Sequence, residues 1–242
     1  MYGIIDRTGE KQMMNCGMMA EIILYKNNNM VMVRFEDGYL KVASYLNFKK
    51  GKVKNPYLPT FFNVGYLGDE KIYTGDNSYS TWYDMLRRCY NEKADNYRWY
   101  GGSGITVCEE WHNYSNFKKW YYENIYESDE KLNLDKDILV KGNKIYSPET
   151  CIFVPQKINL LFSRGVKDRI LPTGVTFYKP NGKYLAKIYI NGKNIHLGYY
   201  ETIQEAEEVY NKKFAEVIKE TAEEYKDKIP NKLYNRLLEL IK

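Results

Sequence analysis

The chain has 242 residues, of which 44% are apolar and 28% charged, with a formal net charge of +5. That length accommodates two or three small domains with a core each, and so mild a basic excess excludes a protein that meets a polyanion through bulk charge alone. No apolar run approaches the roughly 20 residues of a membrane span, so no membrane partner is expected. The N-terminal MYGIIDRTGEKQ lacks a signal-peptide layout. Cys16, Cys89, Cys108 and Cys151 form no CxxC pair, which argues against a disulfide scaffold or a cysteine zinc site and for buried thiols in a reducing, cytoplasmic compartment. The 25 tyrosines, beside many Lys and Asn, read first as an A/T codon bias. Only a few are expected to act as phosphate donors or stacking surfaces.

Residues 1–68 read as a small β domain. Strand-like runs at Glu21–Tyr25, Met30–Phe35 and Tyr39–Tyr45 are separated by Lys26-Asn27-Asn28-Asn29 and Asp37-Gly38. The spacing predicts a three- to five-stranded barrel or meander, closed by the basic loop Phe48–Pro56. Asp69–Asn77 reads as a linker. A helix follows from Ser80 as N-cap, with Trp82, Met85, Leu86 and Cys89 as its apolar stripe. Arg87 and Arg88 near its C-terminus complement the helix dipole and are equally candidates for a backbone phosphate. Tyr100-Gly101-Gly102-Ser103-Gly104-Ile105 lacks the spacing of a phosphate loop and reads as a tight connection before Thr106–Trp111. Tyr114–Tyr126 predicts an amphipathic helix that buries Phe117, Trp120, Tyr121 and Ile125.

Leu134–Leu139, the turn-rich Lys141–Asn143, the run Lys144–Pro155 and then Gln156–Phe162 give the order strand, loop, strand, helix. Pro155 suits a first helical turn. Pro172–Lys219 reads as three strands and a helix. Gly174–Lys179 ends at Pro180-Asn181-Gly182, Lys183–Ile190 alternates and meets the hairpin signal Asn191-Gly192, and Asn194–Tyr200 follows. Thr202 and Glu205 form a capping box for a helix whose stripe is Ile203, Ala206, Tyr210, Phe214 and Val217. Alternation turns Val175, Phe177, Tyr184, Ala186, Ile188, Ile195 and Leu197 toward that helix, and Tyr178, Lys183, Lys187, Tyr189, Asn194 and His196 away from it. Ser163–Tyr200 carries seven Lys/Arg against one acid, whereas Glu201–Asp227 carries nine acids against four lysines. A basic, aromatic sheet backed by an acidic helix suits a polyanion, and a sheet is narrow enough for a DNA major groove. The tail breaks at Ile229-Pro230 and ends in a helix over 231–241, with Leu233, Leu237, Leu240 and Ile241 on its apolar side. The expected class is α+β, divided as a β domain (1–68), a central domain (69–165), a sheet-and-helix domain (166–227) and a C-terminal helix (228–242).

Two stretches resemble known families. Gly174-Val175, Gly182–Ile188, His196–Tyr200 and Thr202–Ala206 with Tyr210 resemble the Apetala-type (ethylene-response-factor) domain. The resemblance implies a three-stranded sheet laid in the major groove of double-stranded DNA, with Lys179, Lys183, Lys187, Tyr189 and His196 at contact positions. Tyr178 and Lys193 complete the candidate DNA-binding set, together with Arg87 and Arg88. Thr176, Asn181 and Tyr189 stand where that family has arginines or tryptophans, so its base preference does not transfer. Leu134–Phe162 resembles the ββα-metal hairpin of HNH nucleases, and with Tyr83–Cys89 and Gly101–Trp111 is similar to phage and mobile-element homing endonucleases that pair with the Apetala-type domain. The resemblance implies Mg²⁺ (or Mn²⁺) held by Asp135 and Asn159, and Asn143 orienting the catalytic group. Lys136 stands at the general-base position. An ordinary lysine, with a pKa near 10.4, is protonated at neutral pH and cannot accept a proton. Asp137 is the alternative base or a further ligand, and His112 and His196 are the only histidines. Two readings follow: an endonuclease with altered base chemistry, or a non-catalytic DNA-binding regulator or phage inhibitor with a host-protein partner. In the second, Asp135, Lys136 and Asn143 simply tie the loop together.

Overall fold

The computed structural model describes residues 5–162, 170–190 and 192–241. The chain is α+β, and it divides into two compact units: Met1–Leu86 with Glu109–Phe117, and Arg87–Cys108 with Lys118–Lys242. These boundaries differ from the domain limits expected from the sequence.

In the first unit, β1 (Lys11–Met13), β2 (Met19–Asn27), β3 (Met30–Phe35) and β4 (Leu40–Ala43) form an antiparallel meander in sequential order. The sheet buries Ala20, Ile22, Val31, Val33 and Phe35. The expected basic loop begins inside a short helix, α1 (Tyr45–Lys49), capped by the Ser44 hydroxyl. This places Phe48 at 0% exposure in the same core as Ile22 and Val33. Helix α2 spans Asn77–Tyr90. It starts three residues before the expected Ser80 cap, because the Asp76 carboxylate accepts from the Ser78 N–H (2.9 Å) and hydroxyl. Trp82 is wholly buried, and its indole N–H donates to the Trp111 carbonyl at 2.7 Å.

In the second unit, residues 97–99 and 101–103 form two single 3-10 turns that lead to β5 (Thr106–Val107). The Gly-rich stretch is therefore a tight connection, as its spacing implies. Helix α3 (Tyr114–Asn124) brings Trp120 and Tyr121 onto Phe153, with ring centroids 5.4 and 5.0 Å away. β6 (Leu132–Asp135) pairs antiparallel with β8 (Ile152–Pro155), β7 (Ile145–Tyr146) pairs in parallel with β5, and α4 (Gln156–Phe162) leaves β8 directly at Pro155. β9 (Val175–Tyr178), β10 (Lys183–Ile190) and β11 (Lys193–Tyr200) form an antiparallel sheet with β10 in the centre. The predicted capping box of α5 (Ile203–Tyr225) is formed, with Thr202 and Glu205 bonding each other's backbone N–H.

Helix α5 is long enough to serve two cores. Ala206 packs under the sheet with Val175 and Ala186. Further along, Ile218, Ala222 and Tyr225 join Ile138, Ile152, Val154 and Ile158 of the β6–β8–α4 hairpin. Helix α6 (Asn231–Glu239) packs Leu233 and Leu237 into that second core. The expected domain limit at residues 165 and 166 lies outside the described residues.

Burial pushes the Cys89 thiol up to about 11 and the Cys151 thiol up to about 12. Since the thiolate is the reactive form, both resist alkylation at pH 8 in the folded protein and label only after denaturation. Mass-spectrometric counting of alkylated cysteines before and after urea checks this.

Candidate nucleic-acid interface

The register of the β9–β11 sheet sorts its side chains. Val175, Ala186 and Ile188 face α5 and are buried. On the other side, Lys183 opposes Tyr178, Leu185 opposes Thr176 and Tyr199, Lys187 opposes His196, and Tyr189 opposes Asn194. Tyr178, Lys187, Tyr189, Asn194, His196 and Tyr199 are all exposed. Predicted residues from three strands therefore share one open face. Lys183 belongs to it, but its ammonium is tied to Glu201 at 2.6 Å. Lys179 lies in the 3-10 turn after β9, beside the sheet face. Lys193 opposes Ile190 and so falls on the Ile188 side of the pleat. Arg164, Lys167 and Arg169, which entered the charge count of this region, lie outside the described residues. Phe177 and Ile195, expected to be covered by the helix, remain 45% and 40% exposed.

Tyr199 is the residue that strict alternation misses. Counting from Leu197 toward the helix would put Tyr199 on the same buried side. The pairing instead steps from Ala186↔Gly198 to Lys187↔His196, leaving Leu197 as an extra residue in a β-bulge. Gly198 accommodates this at φ 136°, a region that favours glycine. Leu197 and Tyr200 then pack on the α5 side, and Tyr199 turns outward. Its ring lies 5.0 Å from Tyr178 and 4.7 Å from His196. Desolvation and the neighbouring Tyr178 push the Tyr199 phenol above its ordinary value, so it stays a hydroxyl donor at neutral pH. A glycine inside an otherwise regular strand was the available sequence signal for the bulge.

The β6–β8–α4 hairpin places the other candidates. β6 ends at Asp135, so Asp137 lies in the turn that follows and does not share a strand face with Asp135. Asp135 Oδ1 accepts from the Asp137 N–H (2.8 Å) and the Ile138 N–H (2.7 Å). Burial raises the Asp135 carboxyl above its ordinary range, against those two N–H groups, which pull it down. Lys136 is only 4% exposed. Its ammonium donates to Asp137 Oδ1 and to the Asn143 carbonyl, both at 2.7 Å, and lies 5.9 Å from the Tyr146 ring centroid. The Asn143 amide donates to the carbonyls of Lys136 (3.0 Å) and Ile145 (2.6 Å) and accepts from the Ile145 N–H at 3.2 Å. Asn159 sits half-buried on α4.

Asp135, Lys136, Asp137 and Asn143 thus form one closed hydrogen-bonded loop. Lys136 is buried within that loop, with its donors turned to Asp137 and Asn143. At this end of the hairpin one Asp135 oxygen is held by two backbone N–H groups and a lysine ammonium sits on the next residue; among the described residues no three His, Cys, Asp or Glu gather. His112 lies half-buried in a 3-10 turn of the first unit. Arg88, a phosphate candidate, is stacked over the rings of Tyr100 (5.0 Å) and Tyr146 (4.8 Å), where it holds β7 and the Gly-rich turns together. Arg87 is half-buried at the end of α2.

Lys136→Ala removes two charge-assisted hydrogen bonds and costs about 2 kcal/mol in urea denaturation. The loss stays below that of an orphaned buried ion because the Asp137 side chain is 54% exposed and remains hydrated.

No protein family, curated protein or solved structure matches the chain.

Proposed function

We propose that this protein binds double-stranded DNA through the outward face of the β9–β11 sheet, and that the β6–β8–α4 hairpin supports the sheet without hydrolysing the DNA. The observation that carries the reading is the gathering of Lys187, His196, Asn194 and three tyrosines on one exposed face, opposite an acidic helix. Backbone phosphates would be met by Lys187, Lys183 and Lys179, and base edges by the side chains between them. The resemblance to the Apetala-type domain points to the same face, and that to phage homing endonucleases points to a mobile-element setting. Helix α5 fixes the sheet to the hairpin, so the two would act as one body on the duplex.

Equilibrium binding of the full chain to a labelled duplex across a salt series tests the proposal. Affinity that falls linearly with log salt supports it; no duplex binding at low salt overturns it. The endonuclease reading is favoured only by the strand–loop–strand–helix order around Asp135 and Asn159. Supercoiled plasmid incubated with Mg²⁺ or Mn²⁺ separates the two. Nicking that disappears in Asp135→Ala would restore the catalytic assignment; an intact plasmid supports a DNA-binding regulator.

A further inference from the structure

We infer that the sheet reads A·T base pairs in the major groove, with Tyr199 and Asn194 as the specificity-determining residues; this rests on the proposed DNA-binding role. The major groove distinguishes base pairs by donors, acceptors and the thymine methyl. Guanine is read most often at its O6 and N7 by arginine or lysine; no arginine, the one of the two with a rigid planar fork, occurs between Val175 and Tyr200. The cation central to the face is Lys187, a single point charge that satisfies a phosphate as readily as a base. The polar group suited to a bidentate match is Asn194, exposed opposite Tyr189, and an amide side chain pairs with the N6 and N7 of adenine.

The apolar component is the ring cluster made by the bulge. Tyr178, Tyr199 and His196 come from β9 and β11, with centroids 5.0 and 4.7 Å apart on either side of Tyr199. Tyr199 is the middle ring, 40% exposed. Ring edges held in this way offer a rigid apolar surface for a C5-methyl group, which thymine has and cytosine lacks. Tyrosine and histidine also supply hydroxyl and imidazole donors for the thymine O4. An adenine-reading amide and a methyl-reading ring cluster on one face, with no guanine fork, select A·T pairs.

Selection of bound duplexes from a random pool by the full chain, followed by affinity measurement on a selected site, tests the inference. The expected pool is enriched in A·T pairs. Replacing thymine by deoxyuridine, which removes only the methyl, lowers affinity about fivefold. Tyr199→Ala abolishes that thymine–uracil difference while keeping salt-dependent binding, and Asn194→Ala relaxes the adenine preference. A G·C-rich pool, or equal affinity for thymine and uracil duplexes, overturns the inference while leaving the DNA-binding role intact. Absence of duplex binding by the unsubstituted chain overturns both. Circular dichroism of each variant confirms that it is folded.

Discussion

Lys183→Ala combined with Lys187→Ala weakens duplex binding about 30-fold at moderate salt, and Lys187 carries most of the loss. Each lysine at a phosphate releases about one condensed counterion, so its loss lowers affinity and flattens the log–log salt slope by about one. The two lysines are not equivalent. Lys187 is exposed at the centre of β10, opposite His196, whereas Lys183 already holds Glu201 at 2.6 Å and would have to give up that partner. Single substitutions should therefore differ: about tenfold for Lys187→Ala, which is about 1.4 kcal/mol, and less for Lys183→Ala. Glu201→Gln frees Lys183 and should tighten binding. A salt titration by fluorescence anisotropy measures the four variants beside the unsubstituted chain. Equal slopes for the double variant and the unsubstituted chain would place the interface elsewhere.

Gly174→Ala destabilises the sheet and helix by about 3 kcal/mol. Gly174 lies at φ 79°, where a residue with a Cβ costs about 1 kcal/mol or more. A Cβ there would also overlap the Tyr210 ring of α5, and the overlap reaches the ring carbon nearest the backbone, which cannot swing clear. Overpacking of this kind adds roughly 1–3 kcal/mol. Urea denaturation should show a lowered midpoint for Gly174→Ala. Gly142→Ala is the control: Gly142 has a similar φ of 76°, yet a Cβ there meets nothing within 4 Å, so only the backbone strain should appear. Because Gly174 neighbours β9, the same change should weaken duplex binding in proportion to the loss of folded protein. A loss of binding without a loss of stability would assign Gly174 a contact of its own.

The hairpin around Lys136 explains why a resemblance to nucleases does not oblige this chain to cleave. A histidine at position 136 would bring a titratable base. The lysine at the same point donates to Asp137 and Asn143, and the loop has closed around it. Structural use of the three residues is the reading that this geometry favours.

Local elements were legible in the sequence because each is encoded within a few residues. The Thr202–Glu205 box caps its own first turn, and the Lys183–Ile190 alternation presents Lys187 and Tyr189 to one side. The start of α2 differs from the Ser80 cap read in the sequence because the Asp76 carboxylate accepts from the Ser78 N–H. The face of Tyr199 is set by pairing rather than alternation: it turns outward because β11 slips by one residue against β10 at Lys187. The chemistry of Lys136 was likewise undecided in sequence, since its partner carbonyl is seven residues away and its burial comes from the packed hairpin.

By itself, then, the sequence determined the α+β class, the strand–helix order of the last third and the polarity of its sheet, all of which follow from periodicity and capping over short spans. Only the tertiary structure decided that α5 joins the sheet and the hairpin into one packed body, that the Asp135–Asn143 loop is closed by an ammonium, and that Tyr199 stands among the outward rings. Each of those depends on which distant residues come into contact, and burial and register exist only once they do.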